Sequence, residues 1–389
     1  MNKLTRPQAV KPISTAYIIT SLSMGGAQKV LLQLLSSDLS RHFSPVCVIS
    51  LRRVSGLEEK FAQSNIPLLY LELEKPWRIP GCLMAIIRFL RKHNVRVLYS
   101  MMHHANLFAV LLKFFVGQRL NVVWGLHDTP LKGLYTRLDH RFLFWLTVKL
   151  SHVPERIVLV SARSRQRYIE CKYPLKKLCL IPNGVAIKPN NRSQLAVVRR
   201  NVRTELRLPP NAILIGSLTR YVVEKDIPCM LQAFRQFSVN ESNAFLLLAG
   251  EGMTAENAEL MELLLELGLG QQVLLLGVRT DASRLLNALD IATLSSRSEA
   301  MPLFIAEAMA AGVPCVASDV GDVAQLLGDT GFLVPSENPQ ALADGWQEAV
   351  ALSGAERWDK VAAARERIRT MFGVERMVKR HRELFTSLT

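Results

Sequence analysis

The stretch IATLSSRSEAMPLFIAEAMAAGVPCVA, residues 291–317, sets out the architecture in miniature. Ile291 to Leu294 is a short apolar run, and Pro314 to Ala317 is another; both read as buried strands. Between them, Leu303 to Ala311 is long enough for a helix. Pro302 stands where a first-turn proline loses no hydrogen bond, and Gly312 stands where a helix stops. A strand, a helix and a second strand in this spacing form a parallel crossover unit.

The same alternation runs along the chain in both directions. Upstream in this half, Ile213 to Leu218, Ala244 to Ala249 and Val273 to Leu276 read as strands. Pro228 to Val239, Ala255 to Leu267 and Ala282 to Ala288 read as helices between them. In the first half, Thr15 to Ser21, Pro45 to Leu51, Leu68 to Leu71, Val95 to Ser100, Asn121 to Leu126, Arg156 to Ser161 and Leu178 to Pro182 read as strands. Amphipathic stretches such as Ala27 to Ser37 and Cys82 to His93 separate them. The expectation is an α/β protein of two doubly wound, Rossmann-like domains. Asn183-Gly184 is a turn signal, and the polar, proline-bearing stretch from Ile187 to Ser193 is the expected linker. The predicted domains are residues 1–190 and 191–365. Residues 366–389 are expected to be a C-terminal helix that crosses back.

Of 389 residues, 49% are hydrophobic and 21% charged, a globular balance that excludes a disordered or fibrous chain. No apolar run reaches the length needed to span a bilayer; Ala105 to Val116 is too short and carries Lys113. The stretch from Ala16 to Met24 leads into Gly-Gly rather than a cleavage site, so a cytoplasmic protein is expected. Cys47, Cys82, Cys171, Cys179, Cys229 and Cys315 form no CxxC pair, which argues against structural zinc and for reduced thiols. The net charge of +15 is unevenly divided. Residues 1–195 hold 29 Lys and Arg against 9 Asp and Glu, and the remainder hold 19 against 24. The first half is therefore suited to something anionic.

Four clusters carry chemistry. Glu299 and Glu307 stand eight positions apart, one in a loop and one on the following helix. The helix N-terminus at Leu303 and Phe304 offers free N–H groups and a partial positive charge to a diphosphate. Glu307 can accept from a ribose diol and Glu299 from sugar hydroxyls. Gly216-Ser217-Leu218-Thr219-Arg220, followed by Glu224-Lys225, places two cations beyond a strand's carboxyl end, where open α/β sheets bind ligands. Met24-Gly25-Gly26-Ala27-Gln28 joins strand one to a helix without matching the dinucleotide fingerprint; Gly26 permits close approach of a phosphate. Gly125-Leu126-His127-Asp128 ends another strand, with His103-His104 as a rival pair. Each feature has a plain structural reading beside the functional one: an acidic helix start, solvated cations, a tight turn and a core histidine.

Together these motifs resemble the E-x7-E block, the G-x-L-x-x-x-K-G element and the G-G-A-E segment of retaining, family-four-type glycosyltransferases of the GT-B fold. Leu248-Ala249-Gly250-Glu251-Gly252, Ile181-Pro182-Asn183-Gly184-Val185 and Ala317-Ser318-Asp319-Val320-Gly321 match further family segments. The resemblance spans the chain, and its specific motifs concentrate in residues 213–335. It departs at Gln28, Asp226, Asp322 and Gln325, where the family favours Glu, Gly, Gly and Glu.

The resemblance implies two domains with a cleft between them. It implies transfer of a sugar from a nucleoside-diphosphate sugar, UDP-sugar favoured, to a hydroxyl of a lipid-linked or polysaccharide acceptor, with retention, in bacterial surface glycan synthesis. Arg220 and Lys225 would carry the leaving diphosphate, with Gly26, Gly250, Leu303 and Phe304 beside the nucleotide. Glu307 would hold the ribose, Glu299 the donor sugar, and His127 would lie near the reacting sugar. No cofactor and no metal are expected, since the two cations and the helix terminus take the cation's part.

Residues 132–177 hold 11 Lys and Arg, 3 acidic residues, and Tyr135, Phe142, Phe144, Trp145, Tyr168 and Tyr173 interleaved. An anionic membrane surface and a solvated helix face with core aromatics both fit; no nucleic-acid module appears, so no nucleic-acid partner is expected. The alternatives for function are a sugar-nucleotide epimerase or a phosphorylase of the same shape, and a non-catalytic partner subunit.

Overall fold

A computed structural model describes residues 13–23, 25–37, 43–53, 57–63, 65–130, 138–187 and 192–389. The alternation resolves into two wholly parallel sheets. The first contains β1 (Ile13–Ile19), β2 (Phe43–Ser50), β3 (Leu68–Tyr70), β4 (Val97–Met101), β5 (Asn121–Leu126), β6 (Arg156–Leu159) and β7 (Leu178–Leu180), in the order β3-β2-β1-β4-β5-β6-β7. The second contains β8 (Ile213–Leu218), β9 (Ala244–Ala249), β10 (Val273–Leu275), β11 (Ile291–Leu294), β12 (Cys315–Ser318) and β13 (Phe332–Val334), in the order β10-β9-β8-β11-β12-β13.

Helices cover both faces of such sheets, so the central strands are largely apolar and buried on both sides. Every residue of β4, β11 and β12 is buried. The direction of winding reverses between β1 and β4, and again between β8 and β11. At each reversal the flanking loops diverge and leave a crevice beyond the carboxyl ends of the strands.

The chain divides into two units. One comprises Met1–Val160, Ser164–Gly184 and Glu375–Thr389; the other comprises Ser161–Arg163 and Val185–Val374. Of the expected linker, residues 188–191 lie outside the described residues, and a helix, Arg192–Glu205, follows at once. The C-terminal stretch differs from expectation, because residue 366 falls inside a helix, Gly354–Met371. That helix opens on a capping box, in which Ser353 and Glu356 satisfy each other's backbone N–H. It ends because the Phe372 carbonyl accepts from the Val185 N–H at 2.8 Å. A separate helix, Val374–Thr386, then joins the first unit.

There it buries an apolar edge against β4 and β2. Phe385 packs edge-on to Phe43 and to Tyr99, with ring centroids 5.4 and 5.8 Å away, and Asn121 Nδ2 donates to the Leu388 carbonyl at 2.7 Å. His381 lies beneath, its Nδ1–H donating to the Met377 carbonyl at 2.9 Å and its Nε2 facing the Tyr99 hydroxyl at 3.4 Å.

The aromatics of residues 132–177 separate by role. Tyr168 and Tyr173 are fully in the core, and Phe144 packs against it. Phe142 and Trp145 are exposed. Lys132 and Tyr135 lie outside the described residues.

Burial pushes the His381 imidazole down to about 4 from 6.5. The folded state refuses a proton that the unfolded chain accepts below pH 6.5. Stability is therefore flat above that value and falls as pH drops from 6.5 towards 4. The expected loss from this group at pH 5 is about 2 kcal/mol. Unfolding by urea at pH 7 and pH 5 measures it, and His381→Phe should reduce the difference between the two.

Candidate active site

Every expected site residue of the second half lies at the carboxyl end of the second sheet, around its winding reversal. The chain leaves β8 at Leu218 and passes through Thr219 and Arg220 to a short turn at Val223–Lys225. Arg220 is exposed there and makes no ion pair among the described residues. Lys225 pairs with Glu299, which lies in the loop after β11, and both side chains are largely buried. The Ser296 hydroxyl donates to the same Glu299 carboxylate oxygen at 2.7 Å.

This juxtaposition is built by the backbone. Ser295 Oγ donates to the carbonyls of Lys225 and Asp226 at 2.8 and 2.9 Å, and the Arg297 N–H donates to the Glu224 carbonyl at 2.9 Å. Asp226, which replaces the glycine usual in the resembling family, sits at φ 47°, ψ 53°. That is the left-handed region, where glycine is free and Asp is among the better-tolerated side chains. Arg297 grips its carboxylate with two hydrogen bonds, at 2.9 and 3.2 Å. The substitution thus keeps the turn and adds a bidentate tie to the Glu299 loop.

Two glycines hold these loops in contact. Gly250, after β9, has φ +145°, and a Cβ there would lie 2.0 Å from the Thr219 carbonyl. Gly321, after β12, has φ +53°, and a Cβ there would lie 2.1 Å from the Glu299 carbonyl. Only glycine lets the backbone pass so closely. Gly250 thereby supports the Arg220 segment, and Gly321 supports Glu299.

The helix Leu303–Ala311 opens toward the same end. Pro302 is its N-cap, in extended conformation, one position earlier than the first-turn place expected, and no side chain caps it. The N–H groups of Leu303 and Phe304 therefore have no partner within the helix. Glu307 lies one turn in, on a half-buried face. Gly312 ends the helix in the left-handed conformation at φ 83°. Asp322 is buried and precedes the short helix Val323–Leu327.

The structure places Gly26 and His127 in the other unit. Gly26 is exposed as the first residue of the helix Gly26–Leu35, after β1; the neighbouring Met24 lies outside the described residues. Gln28, at the family's Glu position, is buried and donates to the Ser21 carbonyl at 3.0 Å, which closes the turn. His127 follows β5. Both its ring nitrogens are buried without a hydrogen-bond partner, and so is Asn183 Oδ1. Burial lowers the imidazole to about 4, against opposing pulls from the Asp128 charge and from the Asn183 side chain, which lies near the ring without reaching hydrogen-bond geometry, so the ring is neutral at pH 7. The rival His103 is engaged: its Nε2 meets Asp128 at 3.1 Å, and the Tyr168 hydroxyl donates to the same carboxylate at 2.8 Å. His103 follows Met102, a non-glycine residue at φ 79°, ψ 153°.

Sequence reasoning missed Ser295, Ser296, Arg297 and Gly321 as builders of the site. Gly321 had a signal in its place in the segment after β12, and Ser296 had one in the Ser-x-x-Glu spacing that leads into Glu299.

The two partners of the Asp226–Arg297 tie should differ in cost. Arg297→Ala leaves a buried carboxylate unpaired and should destabilise by about 2 kcal/mol, discounted for the half-exposed arginine. Asp226→Gly relieves the left-handed strain and leaves Arg297 its Glu337 neighbour at 3.3 Å, so it should cost less than about 1 kcal/mol. Urea unfolding of both variants and the double variant checks the order; equal costs would remove the tie's structural importance.

Comparison with known proteins agrees with the fold. The family model described as Glycosyl transferases group 1 matches residues 209–351, and that described as Glycosyltransferase Family 4 matches residues 24–188. An N-acetyl-alpha-D-glucosaminyl L-malate synthase of Bacillus anthracis is 26% identical over 71% of this chain and 70% of its own. An O-antigen biosynthesis glycosyltransferase of Escherichia coli is 22% identical over 66% and 70%. Among solved structures, Anabaena HepE in complex with UDP-glucose superposes with a TM-score of 0.82 at 19% identity, over 96% of this chain and all of that one. Two matched models of one enzyme class and a shared pair of Rossmann-like domains lead to one assignment: the chain belongs to the group 1 glycosyltransferases of GT-B fold and is a glycosyltransferase of glycan biosynthesis.

Proposed function

We propose that the protein transfers a sugar, with retention of anomeric configuration, from a nucleoside-diphosphate sugar to a hydroxyl of a lipid-linked or polysaccharide acceptor. UDP-sugars are the favoured donors, and bacterial surface glycan is the proposed product. The observation that carries this reading is the Lys225–Glu299 pair, set at the winding reversal of the second sheet together with Arg220 and the uncapped helix start at Leu303. A nucleoside diphosphate needs cations and N–H donors for its phosphates and acceptors for its hydroxyls, and these residues supply both. The UDP-glucose bound to the structural neighbour adds support for the donor class.

In this reading Arg220, Lys225 and the N–H groups of Leu303 and Phe304 stabilise the charge that develops on the departing diphosphate. Gly250 keeps the Arg220 segment in place, and Gly26 leaves room beside the phosphates. Glu307 accepts from the ribose hydroxyls. Glu299, its lone pairs shared between Lys225 and Ser296, accepts from the donor sugar. His127, held neutral by burial, offers one N–H donor and one acceptor to the reacting sugar. No metal or organic cofactor has a part, and the reaction is proposed to run at the inner face of the cytoplasmic membrane, aided by the basic first domain.

Ligand binding to the folded state raises its stability by about 2.7 kcal/mol at a hundredfold excess over Kd. UDP is expected to stabilise the wild type and to lose this effect in Glu307→Ala. Glu299→Gln should keep the response to UDP and lose the further increment given by the UDP-sugar. Lys225→Ala should lower kcat/KM by about a hundredfold to a thousandfold. His127→Ala should lower turnover without weakening UDP binding. Wild-type activity should survive EDTA, and proton NMR of the first-formed product should show the donor's anomeric configuration. Stabilisation by no nucleoside diphosphate would overturn the donor site, and an inverted product would overturn the stereochemistry alone.

A further inference from the structure

Asn183 sits in one of the chain's motif segments, Ile181-Pro182-Asn183-Gly184-Val185, yet it has no part in the transfer described above. It follows β7 in the first unit as His127 follows β5, so both stand beyond the carboxyl ends of the same sheet. The backbone is fixed on either side of it. The Ile181 N–H donates to the Leu159 carbonyl at 2.9 Å, and the Gly184 N–H meets the Met377 sulfur at 3.1 Å. The Asn183 side chain is buried, and it lies close enough to the His127 ring to draw the imidazole pKa upward against the effect of burial.

Three buried polar atoms at this place make no hydrogen bond: both ring nitrogens of His127 and Oδ1 of Asn183. A buried asparagine with a purely structural task looks different in the same unit. Asn106 Oδ1 receives the Ser100 hydroxyl at 2.7 Å, and Asn106 Nδ2 donates to the Gly125 carbonyl at 3.5 Å. Each unpaired atom costs the folded chain free energy that an apolar side chain of similar size would not.

The chemistry of the three atoms defines what can satisfy them. The neutral ring has one N–H donor and one acceptor, and the amide oxygen only accepts. An anion would face that oxygen and the Asp128 charge, while a cation would face the ring N–H. His381, the other titratable side chain acting on the ring, is itself held neutral by burial and attracts no anion. A hydroxyl meets both demands at once, donating to Asn183 Oδ1 while accepting from the ring N–H, and a second hydroxyl can donate to the remaining ring nitrogen. We propose that Asn183 and His127 together form a receptor for the hydroxyls of a sugar, with Asn183 as a further substrate-binding residue that selects the hydroxyl pattern. The inference rests on the glycosyl-transfer reading and adds to it a determinant of which sugar is accepted. A bridging hydroxyl also settles the imidazole tautomer, since the nitrogen that faces it keeps its proton. A sugar lacking that hydroxyl leaves two groups unpaired and should bind about tenfold to a hundredfold less tightly.

The test uses the full chain with UDP, UDP-glucose, UDP-galactose and UDP-N-acetylglucosamine. In the wild type one of these UDP-sugars should raise the thermal midpoint beyond UDP and shift the ring-nitrogen NMR signals of His127, which UDP alone leaves in place. Asn183→Leu should keep the wild-type urea midpoint, because it removes an unpaired group, and should keep the response to UDP. It should lose the sugar's increment and the ring shift, and raise the donor KM about tenfold to a hundredfold. Monodeoxy analogues of the same UDP-sugar close the cycle. One of them should bind the wild type as weakly as the parent binds Asn183→Leu, and should lose nothing further in the variant. A clearly lower urea midpoint in Asn183→Leu would give the side chain a structural role and overturn the proposal. A sugar increment and ring shift that survive in the variant would also overturn it and assign the unpaired atoms to a resident water. Failure of the donor reading would instead appear as a wild type indifferent to UDP. The ring signals are then followed with free glucose and galactose, and no shift with either would overturn the receptor too.

Discussion

The Lys225–Glu299 ion pair is the contact on which the second domain's functional end depends. In the order β10-β9-β8-β11-β12-β13, β8 and β11 are neighbours whose following helices depart in opposite directions. Nothing in that topology closes the space between their loops. It is spanned by Ser295 and the Arg297 N–H bonding to the carbonyls of residues 224–226, by Arg297 on Asp226, and by the ion pair itself. Two charges that would be costly alone at this depth become tolerable together, because each is paired and Glu299 also receives the Ser296 hydroxyl. The loops are thus fixed relative to the strands before any ligand contributes.

Much of this was legible because two periodicities and a motif agreed. Apolar runs alternating with helical patterns required parallel sheets, and Pro302 and Gly312 bracketed the helix that carries Glu307. The sixth strand of the second sheet, Phe332–Val334, was not among the strands read; three residues are too short for a periodicity to register. The helix Arg192–Glu205 was hidden by the polar residues before it, and its basic sequence gives a weak apolar stripe. The break at Phe372 was not read although Gly373 stands just past it, a stop signal like Gly312; the carbonyl that bonds Val185, almost two hundred positions away, lies beyond any local pattern. Local patterns report local elements; distant backbone partners leave no trace in them.

Asp226 shows the same limit from the other side. As a departure from glycine it placed the loop in doubt, because a left-handed turn is easiest for glycine. The compensation, Arg297, is seventy-one positions along and becomes visible only when β8 and β11 lie side by side. Gly250 and Gly321 are the reverse case. Their positions in motifs were readable, but the reason, carbonyls of other loops at 2.0 and 2.1 Å from a Cβ, belongs to the tertiary structure. The aromatics of residues 132–177 divide on similar grounds. Tyr168 and Tyr173 turn inward to bond Asp128 and Thr147, while Phe142 and Trp145, in the same stretch, turn outward.

His103 and His127 follow neighbouring strands, β4 and β5, yet have different circumstances. His103 has its Nε2 committed to Asp128, and Tyr168 holds that carboxylate in position. His127 has two buried ring nitrogens without hydrogen bonds, and burying such groups unpaired costs the protein stability. A fold that needed only packing at this place would do better with an apolar residue of the same volume. In the proposed function a ligand supplies the missing partners, because a neutral imidazole can meet a sugar hydroxyl in either sense, as donor at one nitrogen or acceptor at the other. His103, whose Nε2 is committed to Asp128, likewise keeps a buried Nδ1 without a hydrogen bond, so the two rings differ in how many partners a ligand could add rather than in kind.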